Sequence, residues 1–298
     1  MSAAPDHISS DLASGKGSKD ENFPVASALI AARHRPAIFA FYRFARTADD
    51  VADHATASAE EKLELLEQMR ASLAGESDAD APSASLRDVL RARGLSPQHG
   101  LDLLTAFNRD VTQTRYADWD ELMDYCRYSA APVGRMVLDI HGEPGATWPA
   151  NDALCAALQV INHLQDCGED RRDLDRVYLP LADLATAGTS VEALDQPRAS
   201  PELKSVINAL ARRTQGLLAQ SRPFASQISS RRLRAEVAFI QRVAEDLAAR
   251  LAVRDPLSER VHHRKLELAG LAGSTLFRLL GEPRRIPTPA GRIVDLAP

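Results

Sequence analysis

The chain has 298 residues, 45% of them hydrophobic and 26% charged, with a formal net charge of −5. This ordinary globular balance can bury a sizeable core, and it gives no reason to expect a nucleic-acid partner. The longest apolar stretches, such as ALCAALQVI and LAGLAGSTLF, fall short of the roughly eighteen residues that a membrane-spanning helix needs. The three cysteines, Cys126, Cys155 and Cys167, form no C-x-x-C pair and are typical of buried thiols in a reducing cytosol.

The sequence divides into a leader, a long helical region and a tail. Residues 1–21 lack the apolar segment of a signal peptide and predict a disordered leader. Over residues 22–281 apolar side chains recur at spacings of three and four without a convincing strand pattern, so the predicted fold class is all-α. Residues 282–298 are rich in proline and predict a tail on the surface. In chain order we expect helices at about 24–33, 36–54, 59–74, 85–93, 97–110, 118–130, 133–141, 151–171, 201–224, 229–253 and 256–280.

Several helix starts carry a capping residue. Ser96, Ser200 and Asp255 each stand directly before a proline, which is favoured at the first position of a helix. Asp118, followed three residues later by Glu121, resembles a capping box. These positions predict four helix starts.

A first pair of carboxylates ends the predicted helix 36–54. Asp49 and Asp53 are four residues apart and share one helical face, which Arg46 and Tyr42 continue backwards. Like charges at this spacing repel each other unless a cation lies between them. Taken alone, such a pair is more commonly explained by solvated carboxylates, with Arg46 bridging to Asp49. Asp50, off this face, is predicted to be exposed or structural.

A second pair of carboxylates makes the explanation by solvated side chains less suitable. Asp166 and Asp170 are again four residues apart, and Asn162 and Gln159 extend their face backwards through an otherwise apolar helix. Polar side chains embedded in a hydrophobic run favour a cavity lining over a solvated surface. Two helices with paired carboxylates could face each other and hold hard cations through oxygen ligands. Magnesium is the natural candidate, because these motifs contain little histidine.

The two motifs resemble those of the head-to-head prenyl synthases, the squalene and phytoene synthase family. YRFARTADDVAD looks like the first aspartate-rich motif of that family, and NHLQDCGEDRRDLDRVYLP looks like the second. YCRYSAAPVGRM, residues 125–136, resembles the tyrosine-rich helix between them, and RHRPAIFAFYRF resembles the helix that leads into the first motif. The resemblance covers residues 22–180, whereas the C-terminal third is similar only in its helical character and a basic RVHHRK segment.

This resemblance implies one isoprenoid-synthase bundle over residues 22–281, with both motifs near the mouth of a central cavity. Magnesium would assist the ionisation of an allylic diphosphate, and tyrosine rings would stabilise the resulting carbocation. The implied metal ligands are Asp49, Asp53, Asp166 and Asp170, the catalytic residues are Tyr42, Arg46, Tyr125, Tyr128 and Tyr178, and the substrate-binding residues are Phe23, Gln159, Asn162 and Arg176.

The walls of the implied cavity leave structural alternatives open. Any one of the tyrosines could be a core residue with a satisfied hydroxyl. Phe39 and Phe107 could line the cavity or belong to the plain core. The small residues of SAAPVG either leave room for an isoprenoid chain or allow close helix packing, and Pro132 should kink the helix.

Three departures from the family pattern narrow the expected activity. KDENFPVAS is acidic where a serine-rich, often basic segment is usual, Gln165 stands where arginine is common, and SAAP replaces a valine-alanine-glycine pattern. With phosphate contacts missing, we expect one diphosphate to be bound rather than two. The pattern resembles the hydroxysqualene synthase branch of the bacterial hopanoid pathway. That branch ionises presqualene diphosphate and captures the cation with water, so we expect Mg²⁺ and no nicotinamide cofactor.

Other functions fit less well. Within the family, the alternative is condensation of two prenyl diphosphates to squalene, presqualene diphosphate or phytoene. A helical binding protein that has lost its chemistry should show broken aspartate motifs, and a ferritin-like di-metal protein should show a Glu-x-x-His pair. We expect a cytoplasmic enzyme that can touch the inner face of the membrane. It would receive substrate from a presqualene diphosphate synthase and pass product to a hydroxysqualene reductase.

Overall fold

The computed structural model describes residues 30–281, and their side chains as far as Thr275. The leader 1–21, the tail 282–298 and Phe23 lie outside these residues. The helices are α1 (Arg35–Ala52), α2 (Ala59–Ala74), α3 (Ala81–Arg91), α4 (Gln98–Thr112), α5 (Trp119–Ser129), α6 (Ala131–His141), α7 (Trp148–Gln165), α8 (Cys167–Leu174), α9 (Leu181–Thr186), α10 (Pro201–Ser221), α11 (Phe224–Gln227), α12 (Arg231–Leu251) and α13 (Lys265–Gly281).

The all-α class is confirmed. Over residues 30–281 the only strand-like feature is an isolated bridge between Arg115 and Val177. In the same range, every helix is too short or too polar to cross a membrane. The described part of the predicted helix 24–33 is a bend and a turn, and the rest of that prediction lies outside the described residues.

Two predicted helices have different bounds. The helix predicted at 151–171 is divided at Asp166, where α7 ends and α8 follows after one residue. The helix predicted at 256–280 begins only at Lys265. Asp255 does cap the backbone, but its carboxylate accepts the Leu257 amide and the Ser258 hydroxyl within a turn. The short α9 was missed because six residues show little periodicity.

The caps confirm two predicted starts and correct a third. Ser200 accepts the Leu203 amide at the start of α10, and Asp118 accepts the Glu121 amide at the start of α5. α4 begins after Pro97 instead of Ser96, and Pro97 has no side chain that can cap it. Pro132 lies in the first turn of α6. A complete break between α5 and α6 therefore takes the place of the expected kink within one helix.

The core consists of two clusters of buried side chains, one around α7, α10 and α12 and the other around α1 to α4 with part of α6. α6 approaches α7 closely at Gly134. A β-carbon at this position would lie 2.7 Å from Sγ of Cys155 and closer still to Asn151. The small residue therefore serves close helix packing here, and Gly134 and Ser129 also line the cavity, so the structure agrees with both alternatives that the sequence left open.

α12 runs alongside α7 in the same direction. At its beginning, Glu143, which lies between α6 and α7, accepts the amides of Ser229 and Ser230 at 2.8 Å each. Beyond its end, the Val261 carbonyl accepts a hydrogen bond from buried Gln165 at the end of α7. These two attachments hold α12 against the central helix along its length.

We expect Glu143→Gln to lower the free energy of unfolding by about 2 kcal/mol, because an amide nitrogen would then face backbone donors that now share a carboxylate. Urea unfolding followed by circular dichroism measures this change. The matched control is Glu64→Gln, on the exposed face of α2, which should stay within about 0.5 kcal/mol of the parent protein. Equal stability of both variants would contradict the bracing function of Glu143.

Candidate active site

A cavity of about 680 Å³ lies between the two buried clusters. Its lining changes from apolar to acidic residues along the helices that form it. On α1 the lining runs from Ile38 to Asp49 and Asp53, and on α7 it runs from Leu154 to Asp166. From Ile38 to Asp49 and from Leu154 to Asp166, the lining extends about 16–18 Å at the rise of an α-helix. The cavity therefore has one acidic end and one largely apolar end.

The first aspartate motif lies at the carboxyl end of α1. Asp49 and Asp53 both line the cavity, as the four-residue spacing predicted. Arg46 forms ion pairs of 2.9 Å with Asp49 and also with Asp50, whose side chain is only 17% exposed. Asp50 is therefore a structural partner of Arg46, one of the two outcomes that the sequence left open.

The second motif spans the break between α7 and α8. Asp166 caps the end of α7, and its carbonyl accepts the backbone amide of Asp170 at 2.8 Å. Asp166, Asp170, Asn162 and Gln159 all line the same cavity as the first motif. The structure thus brings together both pairs of carboxylates and the two amide side chains that the sequence selected.

Arg176 ties the segment after α8 to the end of α1. Its guanidinium donates to Oδ1 of Asp53 at 2.6 Å, to the Asp110 carbonyl at 3.0 Å and to the Ala52 carbonyl at 3.2 Å. The residue is 7% exposed, so these bonds are sheltered from water. It lines the cavity, as expected of a substrate-binding residue, and it also neutralises part of the first motif.

Asp110 is a site residue that the sequence analysis missed. Its carboxylate accepts the hydroxyl of Tyr125 at 2.8 Å and that of Tyr178 at 3.1 Å, and all three residues line the cavity. Burial raises the pKa of Asp110 to about 6, while the nearby Arg176 opposes this shift. The sequence did contain a signal for Asp110. It follows Phe107 by three residues and Ala106 by four, so the three side chains share one face of α4.

A neutral histidine completes this group. The His163 ring stacks on Tyr178, with centroids 3.5 Å apart and planes 13° from parallel. Burial and the charge of Arg176 lower the pKa of His163 to about 3, so the imidazole is uncharged at physiological pH. Its Nε2 atom lies 3.1 Å from the Gln159 amide nitrogen, and this contact orients both side chains.

The remaining predicted residues divide into two groups. Tyr42 and Phe107 line the cavity, whereas Phe39 does not and is 44% exposed. Tyr128 is also outside the lining, since its ring lies 4.8 Å beneath the Arg109 guanidinium. The structure therefore places Tyr128, which is partly buried against the core, at a cation–π contact outside the cavity lining that the family resemblance implied.

The acidic end favours a positive ligand. Enclosure by the surrounding protein and repulsion from Asp53 raise the pKa of Asp49 to about 7, even though its side chain is 40% exposed and paired with Arg46. Within residues 30–275, no three acidic, histidine or cysteine side chains are close enough together to enclose a metal ion by themselves.

Comparison with known proteins identifies the family of the chain. The squalene/phytoene synthase family model matches residues 17–267. A hydroxysqualene synthase from Zymomonas mobilis is 54% identical over 88% of this chain and 89% of its own. A 15-cis-phytoene synthase from Enterobacter agglomerans is more distant, at 32% identity over 66% of this chain and 68% of its own.

A solved structure supports the same relationship. The crystal structure of a squalene synthase from Alicyclobacillus acidocaldarius has a TM-score of 0.68 and 31% identity, and the match covers 81% of this chain and 90% of that one. The chain therefore belongs to the squalene/phytoene synthase family, whose members are enzymes that act on prenyl diphosphates.

Proposed function

We propose that this protein is a hydroxysqualene synthase, which converts presqualene diphosphate and water to hydroxysqualene and diphosphate. The observation that carries the proposal is a single cavity with two aspartate pairs at one end and apolar walls at the other. The chain is 54% identical to a hydroxysqualene synthase and 32% identical to a phytoene synthase, which favours presqualene diphosphate as the substrate within the family.

The donor set fits a hard divalent cation. Asp49 and Asp53 from the first motif, with Asp166 and Asp170 from the second, would hold Mg²⁺ through carboxylate oxygens. Bound Mg²⁺ would neutralise the negative charge of the departing diphosphate. Burial and, second to it, repulsion from Asp53 raise the pKa of Asp49, and this supports the fit because a bound cation would oppose both effects.

The chain's own residues supply positive charge and aromatic rings beside the leaving diphosphate. Arg46 and Arg176 bring positive charge to the first motif and restrain its carboxylates. Tyr125 and Tyr178 present aromatic rings beside the acidic end, where their π-faces can stabilise a carbocation. Burial raises the pKa of both hydroxyls well above the ordinary value, so they stay protonated and are weak nucleophiles.

One substrate with thirty carbon atoms fits better than two separate prenyl diphosphates. Gln165 stands at the position where the family commonly has arginine. It is buried and donates to the Val261 carbonyl, and its amide carries no charge that could bind a second phosphate group. Capture of the cation by water consumes no hydride, and we therefore assign no nicotinamide cofactor. The competing function, condensation of two prenyl diphosphates, is suggested by the name of the solved squalene synthase relative.

The proposed substrate and product are both poorly soluble in water. We therefore infer direct handover from a presqualene diphosphate synthase and to a hydroxysqualene reductase, with the enzyme at the cytoplasmic face of the membrane. This arrangement would keep the long hydrocarbon chains out of bulk water between steps.

The first test is turnover of purified protein with Mg²⁺, followed by mass analysis of the product. We expect presqualene diphosphate alone to yield hydroxysqualene, with no dependence on NADPH and no turnover in the presence of excess EDTA. Restoring Mg²⁺ should restore the activity. Faster conversion of farnesyl diphosphate than of presqualene diphosphate would overturn the substrate assignment and favour the condensing function.

Removal of one carboxylate from either motif should stop the reaction. We expect Asp49→Ala and Asp166→Ala each to lower kcat by at least about a hundredfold, since each variant loses a ligand for the ion that stabilises the leaving group. The matched control is Asp173→Ala, an exposed position of α8 outside the cavity lining, which should stay within about twofold of the parent activity. Full activity in either motif variant would contradict the metal assignment.

A further inference from the structure

One buried carboxylate at the acidic end belongs to neither aspartate motif. Asp110 is 7% exposed and lies near the carboxyl end of α4. Its side chain accepts hydrogen bonds from two tyrosines that come from different parts of the chain, Tyr125 on α5 and Tyr178 after α8. A single side chain thus fixes two cavity-lining rings.

The rings that Asp110 fixes form part of a packed aromatic group. The centroids of Tyr125 and Tyr178 are 5.6 Å apart, and Tyr178 is itself stacked against His163. Tyr116 packs on both tyrosines at 5.2 and 5.5 Å, but its hydroxyl has no hydrogen-bond partner among the described residues. Two of the three tyrosine hydroxyls in this group therefore depend on Asp110, and the third does not.

A carboxylate bonded to a phenol changes what the phenol ring can do. The hydrogen bond draws the hydroxyl proton towards Asp110, which leaves more electron density on the ring, and such effects are strong in a low-dielectric interior. The negative charge also lies at the hydroxyl ends of the two rings. Both effects increase the attraction of a cation to the ring faces.

We propose that Asp110 is a positioning residue that acts through Tyr125 and Tyr178, holding both rings and strengthening their stabilisation of the carbocation. The proposal rests on the proposed function, because it requires a cation to form beside these rings. It assigns Asp110 no contact with the diphosphate. Arg176 reaches the Asp110 residue through its backbone carbonyl, so the carboxylate can be altered without removing that bond.

The test uses a stable cation in place of the carbocation. Binding of the farnesyldimethylammonium ion, in the presence of inorganic diphosphate and Mg²⁺, is measured by calorimetry for the parent protein and for Asp110→Asn. We expect the variant to bind the ammonium ion about tenfold more weakly, in line with a cation–π contribution. Its affinity for inorganic diphosphate should change less than about twofold. Equal ammonium affinity in both proteins would overturn the proposal.

The matched control is Tyr116→Phe, which removes a hydroxyl from the same aromatic group without removing a hydrogen bond. It should leave both affinities unchanged. If Asp110→Asn fails to fold, Tyr178→Phe and Tyr125→Phe carry the test. Each removes one hydroxyl bonded to Asp110 and should weaken ammonium binding by about threefold. Unchanged binding in both phenylalanine variants would equally overturn the proposal.

Turnover separates this proposal from the proposed function. With presqualene diphosphate we expect Asp110→Asn to lower kcat by about tenfold while KM changes little, because only the cationic state loses stabilisation. A parent protein without activity towards presqualene diphosphate would reject the proposed function, and the ammonium measurement would still decide the effect of Asp110. An active parent with unchanged kcat in Asp110→Asn would reject the positioning proposal alone.

Discussion

Crowding of like charges at one end of an apolar cavity is the constraint on which the rest of this structure depends. Five aspartates, Asp49, Asp53, Asp110, Asp166 and Asp170, line that cavity. Burial, together with repulsion from neighbouring carboxylates, raises the pKa of Asp49 to about 7 and that of Asp110 to about 6. Arg46 and Arg176 offset part of this repulsion through direct ion pairs with the first motif.

The helices that deliver these carboxylates add to the same negative potential. α1, α4 and α7 all end at the acidic end of the cavity, close to Asp53, Asp110 and Asp166 respectively. The carboxyl end of a helix carries partial negative charge, which favours cations and disfavours acids. Acidic residues at three such ends lower stability, and an arrangement of this kind is expected where a strongly positive ligand is bound.

Neutral polar groups and aromatic rings also line the cavity beside this charged end. His163 is kept uncharged, and the hydroxyls of Tyr125 and Tyr178 are occupied by Asp110. Under the proposed function, the groups beside the carbocation are poor nucleophiles, and the position at which water meets the cation decides which product forms. Asp110 connects the two parts of the site, because it lies at the acidic end with the motifs and accepts hydrogen bonds from two cavity-lining tyrosines.

The local features of this site were readable from the sequence, whereas those that depend on tertiary packing were not. The i, i+4 spacing correctly placed both members of each pair in the wall of one cavity, although the second pair spans the break at Asp166. Phe39 was misjudged because the face of α1 that lines the cavity carries Ile38 and Tyr42 instead. Tyr128 was misjudged because the face of α5 that lines the cavity carries Tyr125 and Ser129. Asp110 carries no motif, and its importance appears only when Tyr178 folds back to meet it.

The most direct measurement of the central claim is a crystal structure of the protein with Mn²⁺ and inorganic diphosphate, with the metal located by its anomalous scattering. We expect metal ions bound by carboxylate oxygens of both motifs at about 2.1–2.2 Å, with the diphosphate bridging them at the acidic end of the cavity. Metal at one motif only, or diphosphate bound outside the cavity, would contradict the account of two aspartate pairs acting on one leaving group.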